Sequence, residues 1–448
     1  MNLAMINNEQ STNADLAAAQ FVQLMNRLNG KKSAIVTEIA ETLMTQLQQG
    51  RIAVPLNFFQ KDSVWLNQAL QQKVIAYAND FAPIVYDQGY FYLYRYWDYQ
   101  RRLIVALNQR MQTPAPFIDA LTAPSLATSQ ALKDQLWHDL QYYFPNTNTE
   151  HAKHAEMDWQ KFAAASALLK RFLIISGGPG TGKTTTVTKI IILFAKAFQS
   201  FYQKKPRIIL AAPTGKAAMR MQESIRHAGL PEVLDYLNQD AATLHRVLGY
   251  IPHKINFQHH QKNPLAADIV IVDEASMIDL ALFTKFIEAV PKTASLILLG
   301  DKDQLSSVET GSVFSDLCAK ANNPYSSEYI NQTFNLQNLT VSRQITNIHQ
   351  HIVLLQKSYR FQINSGIGQL AKAVKQGDVA HVQQLLKQQS PNSQNNNFDD
   401  IEWYPLTILN THFSDWIMHA WADYFTQLKQ PFEKIDKAHL FRAFSSFR

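Results

Sequence analysis

The sequence predicts an α/β protein built on a parallel sheet. Four apolar runs, at residues 172–176, 207–212, 268–272 and 295–299, alternate with segments of helical periodicity, which is the pattern of β-α-β units. Glycine-rich or polar segments follow these runs directly. Because parallel sheets bind ligands at the carboxyl ends of their strands, these segments are predicted to share one edge of the sheet.

A helical region precedes the sheet. Apolar residues at helical spacing predict one helix over about residues 15–28 and a second over about residues 35–47, each followed by a glycine. The aromatic-rich segment 91–97 is more typical of packing residues than of a base-stacking surface. We therefore expect a helical domain at residues 1–115.

The chain is long enough for two to four domains. We expect the α/β domain to span residues 116–345 and a further domain to begin in residues 346–448. Within the latter, the polar run at residues 388–397 predicts an exposed loop.

Bulk composition restricts the class of protein. The chain is 46% hydrophobic with seven tryptophans, which excludes global disorder, and it contains no apolar run as long as a membrane span. The first residues lack a secretory signal, so we expect a cytoplasmic protein. A single cysteine, Cys318, excludes an internal disulfide. The net charge of +6 is a mild bias toward a polyanionic partner.

A phosphate-binding loop follows the first apolar run. The sequence GGPGTGKT fits the pattern G-x-x-x-x-G-K-[ST] between a predicted strand and a predicted helix. We expect Lys183 to reach the β- and γ-phosphates of ATP and Thr184 to offer its hydroxyl to Mg²⁺. The residues predicted to bind the nucleotide here are Gly177, Gly178, Pro179, Gly180, Thr181, Gly182, Lys183, Thr184 and Thr185.

Two adjacent carboxylates follow the third apolar run. Asp273 is predicted to hold Mg²⁺, directly or through water, and Glu274 to polarise the water that attacks the γ-phosphorus. The alternative is an acidic surface turn. The position about ninety residues after the phosphate loop favours the catalytic interpretation.

Two further polar segments lie at strand ends. Gln304 follows the fourth apolar run and is predicted to sense the γ-phosphate, the alternative being a turn stabilised by neighbouring aspartates. Thr214, Gly215 and Lys216 begin a helix after the second run. They could bind a phosphate of a nucleic-acid backbone, but an ordinary solvent-exposed helix start explains them equally well. The histidine pairs and Cys318 are expected to play ordinary packing or surface roles.

The order of the motifs resembles a known family. The segments GGPGTGKTTT, AAPTGKAA, ATLHRVLG, DEASMIDL, LLGDKDQLSSVETGSVFSDL and SYRF resemble the motor domain of superfamily 1 helicases and, more narrowly, the RecD family, the alpha subunits of exodeoxyribonuclease V. The resemblance covers about residues 155–365. It implies a RecA-like ATP-binding domain and a motor that uses ATP and Mg²⁺ to move 5′→3′ on single-stranded DNA.

The same resemblance implies partners and site residues. It implies a heterotrimer with RecB-like and RecC-like subunits, bound through the N-terminal domain and acting on DNA ends in double-strand break repair and recombination. Gln160 would read adenine, and Arg360 would reach across a domain cleft to the γ-phosphate, completing a catalytic set with Lys183, Glu274 and Gln304. The residues along the DNA path would be Thr214, Gly215, Lys216, Thr243 and His245.

After Arg360 the sequence departs from the family pattern. A later segment that couples DNA to ATP and a second arginine are not recognisable. We therefore expect residues 346–448 to form an incomplete, C-terminally truncated second RecA-like domain. The alternative function is a motor-deficient, nucleotide-binding interaction subunit. Stimulation of ATP hydrolysis by single-stranded DNA would separate the two, whereas a kinase or GTPase is disfavoured by the motifs.

Overall fold

In the computed structural model, the chain forms two compact units, Met1–Lys357 and Ser358–Arg448. The residues that it describes are 3–78, 80–114, 117, 126–145, 157–237, 239–304, 311, 313–323, 325–334, 348–359, 365–388, 398, 400–401, 403, 412–431 and 435–446.

The N-terminal region combines helices with a small sheet. Its elements are α1 (Leu3–Asn29), α2 (Ala34–Gln48), β1 (Ala53–Pro55), α3 (Ser63–Leu70), β2 (Ile75–Tyr77), β3 (Ile84–Asp87), β4 (Tyr90–Leu93) and α4 (Tyr94–Gln112). The strands form a sheet in the order β1-β4-β3-β2. Ile39, Ile84 and Phe91 are fully buried between the helices and this sheet. The helical region is confirmed, but the sequence analysis did not predict its four strands.

The larger sheet carries the α/β domain. Its strands are β5 (Phe172–Gly177), β6 (Ile208–Ala212), β7 (Ala242–Thr243), β8 (Ile269–Val272), β9 (Ser295–Gly300) and β10 (Ile352–Leu355). All neighbours pair in parallel, in the order β10-β5-β9-β8-β6-β7. Almost every residue of the central strands is buried because helices cover both faces. The predicted α/β class and parallel sheet are confirmed.

Helices connect these strands. They are α5 (Leu126–Tyr143), α6 (Trp159–Leu169), α7 (Lys183–Tyr202), α8 (Gly215–Arg226), α9 (Leu244–Leu248), α10 (Leu280–Ala289), α11 (Val313–Cys318) and α12 (Ser327–Phe334). This domain was predicted to end at residue 345, but β10 pairs with β5 and extends the sheet to Leu355. The four-residue apolar run of β10 was too short to identify as a strand by its pattern alone.

The second unit, Ser358–Arg448, is helical in its described part. Its elements are α13 (Gly366–Gln376), α14 (Val379–Gln388), α15 (His412–Ala420), α16 (Ala422–Leu428) and α17 (Lys437–Ser446). The carboxylate of Asp400 accepts hydrogen bonds from the amides of Gly366 and Ile367 and so caps α13. The second RecA-like domain expected here stays a prediction, and the predicted loop at 388–397 lies almost wholly outside the described residues.

Over the described part of the chain, no helix is both long enough and apolar enough to cross a membrane.

Candidate nucleotide and nucleic-acid site

The phosphate loop joins β5 to α7 at the carboxyl edge of the sheet. Gly180 and Gly182 have φ angles of 76° and 80°, in the left-handed region that glycine adopts without strain. A Cβ atom on Gly177 would lie 2.5 Å from the hydroxyl of Thr181 and 3.0 Å from the Cβ of Leu355. The tight packing therefore requires glycine at the point where the strand turns into the loop.

The amine of Lys183 lies inside this loop. Its Nζ atom donates to the carbonyl of Gly177 at 2.5 Å and to that of Gly178 at 3.3 Å. Thr184 and Thr185 follow in the first turn of α7, where backbone N–H groups and the helix dipole favour an anion. The loop thus combines a cation with a helix N-terminus, which is the arrangement that binds phosphate groups.

Gln160 lies directly against the phosphate loop. Asp158 caps α6 by accepting from the amide of Lys161 at 3.0 Å, and this fixes the first turn that carries Gln160. The Nε2 atom of Gln160 donates to the carbonyl of Thr181 at 2.9 Å. A Cβ atom on Gly182 would collide with the Gln160 amide. The structure brings this residue to the nucleotide loop from 21 positions away, and its adenine-reading role stays a prediction.

Asp273 and Glu274 extend from β8 at the same edge. The backbone amide of Asp273 donates to the carbonyl of Ala211 at 2.9 Å. The Oδ1 atom of Asp273 accepts from the backbone amide of Glu274 at 2.8 Å. Glu274 has a left-handed backbone with φ 51° and ψ 39°. For a non-glycine residue this costs about 1–2 kcal/mol, and such strain is typical of functional positions.

Burial and the nearby Lys183 cation have opposite effects on the pKa values of Asp273 and Glu274. Burial raises the pKa of Asp273, while the amide of Glu274 and the Lys183 cation act in the opposite direction. Burial also raises the pKa of Glu274, and the neighbouring Asp273 carboxylate adds to that effect. A nearby cation stabilises the ionised form of two partly buried carboxylic acids that lie close together. Lys183 is close enough to act on both.

The residues present fit a magnesium ion that is bound together with a nucleotide. No group of three or more His, Cys, Asp or Glu side chains among the described residues could hold a metal ion alone. Mg²⁺ is usually bound by one or two carboxylates, by substrate phosphates and by water. Asp273 and Thr184 provide an oxygen donor set of that kind and remain the predicted ligands.

The turn after β9 contains both predicted features. Asp301 is buried, and its Oδ1 atom accepts from the amide of Asp303 at 3.0 Å, so the aspartate-stabilised turn is present. The amide of Gln304 donates to the Asp301 carbonyl at 3.3 Å, and the Gln304 side chain is exposed. Its contact with a γ-phosphate stays a prediction. Arg360, the other predicted γ-phosphate contact, lies outside the described residues.

The predicted DNA residues lie on neighbouring strand ends. β6 pairs with β7 through Ala212 and Thr243. The hydroxyl of Thr214 caps α8 by accepting from the amide of Ala217 at 3.2 Å, and that of Thr243 caps α9 by accepting from Arg246 at 3.3 Å. The side chains or backbones of Thr214, Gly215, Lys216 and His245 are exposed. The structure therefore brings all five predicted residues to one exposed edge.

An open pocket of about 540 Å³ adjoins these residues and is lined by His245, Arg246, Gly249 and Tyr250. The sequence analysis did not select Arg246 or Tyr250. Arg246 lies within the segment ATLHRVLG, so its charge in that motif was an available signal. For Tyr250 no pattern in the sequence predicts that the turn after Gly249 places it beside His245.

The sequence is also similar to known proteins. A family model described as an AAA domain matches residues 160–310. The RecBCD enzyme subunit RecD of Haemophilus influenzae is 35% identical over 313 residues, which are 67% of this chain and 45% of that protein. The corresponding subunit of Mycolicibacterium smegmatis is 44% identical over 168 residues, covering 36% of this chain and 30% of that one.

A further relative is the ATP-dependent RecD2 DNA helicase of Deinococcus radiodurans, 39% identical over 32% of this chain and 17% of that protein. Among solved structures, the Pif1 helicase of Candida albicans matches 53% of this chain and 48% of its own, with a TM-score of 0.29 and 19% identity. The chain spans about half the length of the curated relatives it matches.

Proposed function

We propose that this chain, which belongs to the RecD family, is an ATP-hydrolysing DNA motor subunit of a RecBCD-like complex. Its substrates would be ATP with Mg²⁺ and single-stranded DNA reached from a duplex end. The proposal includes 5′→3′ translocation, a role in double-strand break repair and recombination, RecB-like and RecC-like partners, and a cytoplasmic location.

One observation supports the proposal: strands β5 and β8 place complementary charged groups at one edge of the sheet. β9 lies between β5 and β8, with Ile174 opposite Leu298 and Val272 opposite Leu298 in the paired registers. The amine of Lys183 and the carboxylates of Asp273 and Glu274 therefore follow strands separated by a single neighbour. A cationic loop and a pair of carboxylates that follow two strands with one strand between them can bind a triphosphate that is chelated by magnesium.

The chain's own residues have separate tasks in this mechanism. ATP with Mg²⁺ supplies the phosphoryl group and part of the charge neutralisation. Lys183 would bind the β- and γ-phosphates, Asp273 and Thr184 would hold the metal, and Glu274 would orient the attacking water. Gln304 and Arg360 would respond to the γ-phosphate.

DNA would lie on the exposed edge beside this site. Thr214, Lys216, Thr243 and His245 offer hydroxyl, ammonium and imidazole groups at the start of α8 and α9. Such groups bind backbone phosphates without reading the sequence. The direction of movement and the partner subunits rest on the family resemblance, not on this geometry.

The second candidate is a nucleotide-binding interaction subunit that has no motor activity. It is favoured by the described part of residues 358–448, which contains helices but no strand. A motor of this class requires a second domain with a γ-phosphate arginine, and losing one such arginine costs about 10³-fold or more in rate.

Lys183→Gln tests the proposed function. We expect the wild-type chain to hydrolyse ATP faster with single-stranded DNA, and the stimulation to fall steeply with salt because DNA binding releases counterions. Removing the amine is expected to lower turnover about 100-fold or more, since it acts on charge that develops in the transition state. Hydrolysis is measured by phosphate release, with DNA and salt varied.

Lys204→Gln is the matched control, because this lysine lies just beyond the end of α7 and stacks on Tyr202. It should leave turnover unchanged. Normal turnover in Lys183→Gln with a retained melting temperature would refute the site. ATP binding without any DNA-stimulated turnover in the wild-type chain would favour the interaction subunit instead.

A further inference from the structure

A surface loop at residues 249–258 follows helix α9 and is closed by hydrogen bonds between its ends. The amide of Gln258 donates to the carbonyl of Gly249 at 2.9 Å, and the amide of His259 donates to that of Leu248 at 2.9 Å. Gly249 has a φ angle of 71°, and a Cβ atom there would lie 2.7 Å from the Cβ of Gln258. The two ends of the loop are therefore packed tightly against each other.

The same loop is attached to α9 and α10 by side chains. The ring of Phe257 meets the imidazole of His245 edge-on, with 5.7 Å between the centroids. The Nζ atom of Lys285, on α10, donates to the carbonyl of Ile255 at 2.9 Å and lies 5.5 Å from the centroid of the Phe257 ring. These contacts fix the shape of the loop before any ligand is bound.

Tyr250 and Arg246 line the open pocket of about 540 Å³ at the base of this loop. The amide of Tyr250 donates to the carbonyl of His245 at 3.0 Å, which places these two residues side by side. The Tyr250 side chain is 60% exposed. Within the described part of the chain, the side chains of Tyr250 and Arg246 have no hydrogen bond, ion pair or ring contact. An aromatic face and a guanidinium are thus both available to a ligand.

The charge of this region favours an anionic ligand. Between Asp240 and Asp268 the chain contains no acidic residue, but it contains Arg246, Lys254, Lys262 and four histidines. A surface with charges of one sign attracts a polyanion and raises its local concentration. The ligand that matches this pocket therefore combines negative charge with a flat ring, as a nucleotide of a DNA strand does.

We propose that the pocket beside Tyr250 binds a nucleobase of single-stranded DNA. The base stacks on the Tyr250 ring, and Arg246 pairs with a neighbouring backbone phosphate. Thr243 and His245, on the same edge, were predicted only as residues along the DNA path. Because the faces of bases are open only in an unpaired strand, this pocket selects single-stranded DNA over a duplex. The inference rests on the proposed function, since it adds a base contact to the proposed DNA edge.

The test measures DNA binding by the full chain in the absence of nucleotide. Fluorescence anisotropy titrations compare a labelled oligothymidine with an abasic oligonucleotide of the same length, so that both have the same phosphate charge. Tyr250→Ala is expected to weaken oligothymidine binding about tenfold, because a stacked base contact is lost. Its affinity for the abasic strand should not change. Tyr250→Phe keeps the ring and should bind both strands as the wild type does.

Two further variants separate the base contact from the phosphate contact. Arg246→Gln should weaken binding of both strands by the same factor and reduce the slope of log affinity against log salt by about 0.7, the value for one phosphate of a single strand. Tyr142→Ala is the matched control, because Tyr142 is similarly exposed. Its neighbour Tyr143 packs in the cluster on the opposite face of the sheet from Leu248. Both affinities of this variant should equal those of the wild type.

Three results would overturn the inference: an unchanged affinity of Tyr250→Ala for oligothymidine, an equal loss on both strands, or a wild type that binds both strands equally tightly. If Tyr250→Ala has a lowered melting temperature, Tyr250→Leu decides the question by the same comparison, because it keeps apolar bulk without a ring.

DNA-stimulated ATP hydrolysis tests the proposed function separately. If the wild type shows stimulation and Tyr250→Ala binds oligothymidine normally, only the nucleobase pocket is refuted. If the wild type prefers oligothymidine through Tyr250 but its hydrolysis is not stimulated, the motor function is refuted and the pocket stands. A wild type that binds neither strand would refute both.

Discussion

Charged side chains have different roles at the two edges of the six-stranded sheet. At the amino edge, Arg110, Lys170 and Arg171 donate to backbone carbonyls, and Arg207 pairs with Asp268. At the carboxyl edge, Glu274 has a strained backbone, and exposed residues begin the helices. The comparison indicates that charges at the amino edge stabilise the fold, whereas those at the carboxyl edge are available to ligands.

Substitutions should therefore separate into two groups. At the carboxyl edge, Lys183→Gln is expected to change turnover with little change in stability. At the amino edge, we expect the reverse: a lower free energy of unfolding with unchanged nucleotide affinity.

Arg110→Met should cause the largest loss of stability. Arg110 is buried, and its guanidinium donates to the carbonyls of Val290 at 2.8 Å, Ala294 at 2.9 Å and Pro291 at 3.2 Å. Burial, with a smaller effect from Arg171, lowers the pKa of Arg110 to about 10. Methionine fills similar volume but removes the guanidinium donors, although the Pro291 carbonyl still accepts from the amide of Ala294 at 3.1 Å.

We expect about 2–5 kcal/mol of destabilisation in urea unfolding, because each buried acceptor left without a donor costs about 1–3 kcal/mol. Arg101→Met is the control, because this exposed residue on the same helix pairs only weakly with Asp98 at 3.3 Å. A loss of ATP affinity in Arg110→Met at full stability would contradict the division between the two edges.

The residues at the two edges also differ in how well sequence predicts them. The first strand was expected at 172–176 and is observed at Phe172–Gly177, because a continuous apolar run followed by a glycine-rich motif is a strong local signal. The partners of Arg110 lie about 180 positions away along the chain. Nothing in the neighbouring residues indicates that this arginine is buried rather than solvated.

The N-terminal sheet was missed for a related reason. Its strands contain only three or four residues each, and β1 buries a single side chain, Val54. Such runs are too short to establish the alternation that identifies a strand. At the carboxyl edge, by contrast, the residues predicted to bind ligands lie in short motifs that the sequence itself shows. The Gln304 side chain is exposed, and its contact with a γ-phosphate stays a prediction.

Lys170 should make stability depend on pH. Its buried ammonium donates to the Gln350 carbonyl and lies over the rings of Tyr325 and Tyr329, with ring centroids at 5.5 and 5.3 Å. Burial lowers the pKa of Lys170 to about 7 from 10.5. The unfolded chain therefore binds more protons than the folded chain above pH 7, so this lysine makes stability increase with pH.

We expect Lys170 to contribute about 2–3 kcal/mol of added stability between pH 7 and pH 9, because each pH unit over which only the unfolded chain keeps this proton adds up to about 1.36 kcal/mol. Tyr329 does not interfere, because burial raises its pKa to about 12 and its unfolded value is 10.0. The measurement is urea unfolding of the wild type and Lys170→Met at both pH values. Identical slopes in the two proteins would mean that the buried amine keeps its proton at pH 9.

The smallest effect is expected for Asp268→Asn. Its Oδ2 atom accepts from the amide of Arg207 at 2.8 Å and from Nε at 3.2 Å, and its Oδ1 atom accepts from the guanidinium at 3.3 Å. The Arg207 side chain is 58% exposed, so solvent screens the pair, and the loss should be about 0.5–1 kcal/mol. An asparagine oxygen can still accept the backbone amide.

Arg207→Gln separates the ion pair from that amide bond, because it removes the guanidinium and keeps the backbone N–H. It should destabilise the chain by a similar amount, and more weakly at high salt. A loss above about 2 kcal/mol in Asp268→Asn but not in Arg207→Gln would show that the carboxylate acts mainly on the backbone at the starts of β6 and β8. The amino edge would then depend on a backbone-directed carboxylate as well as on its buried cations.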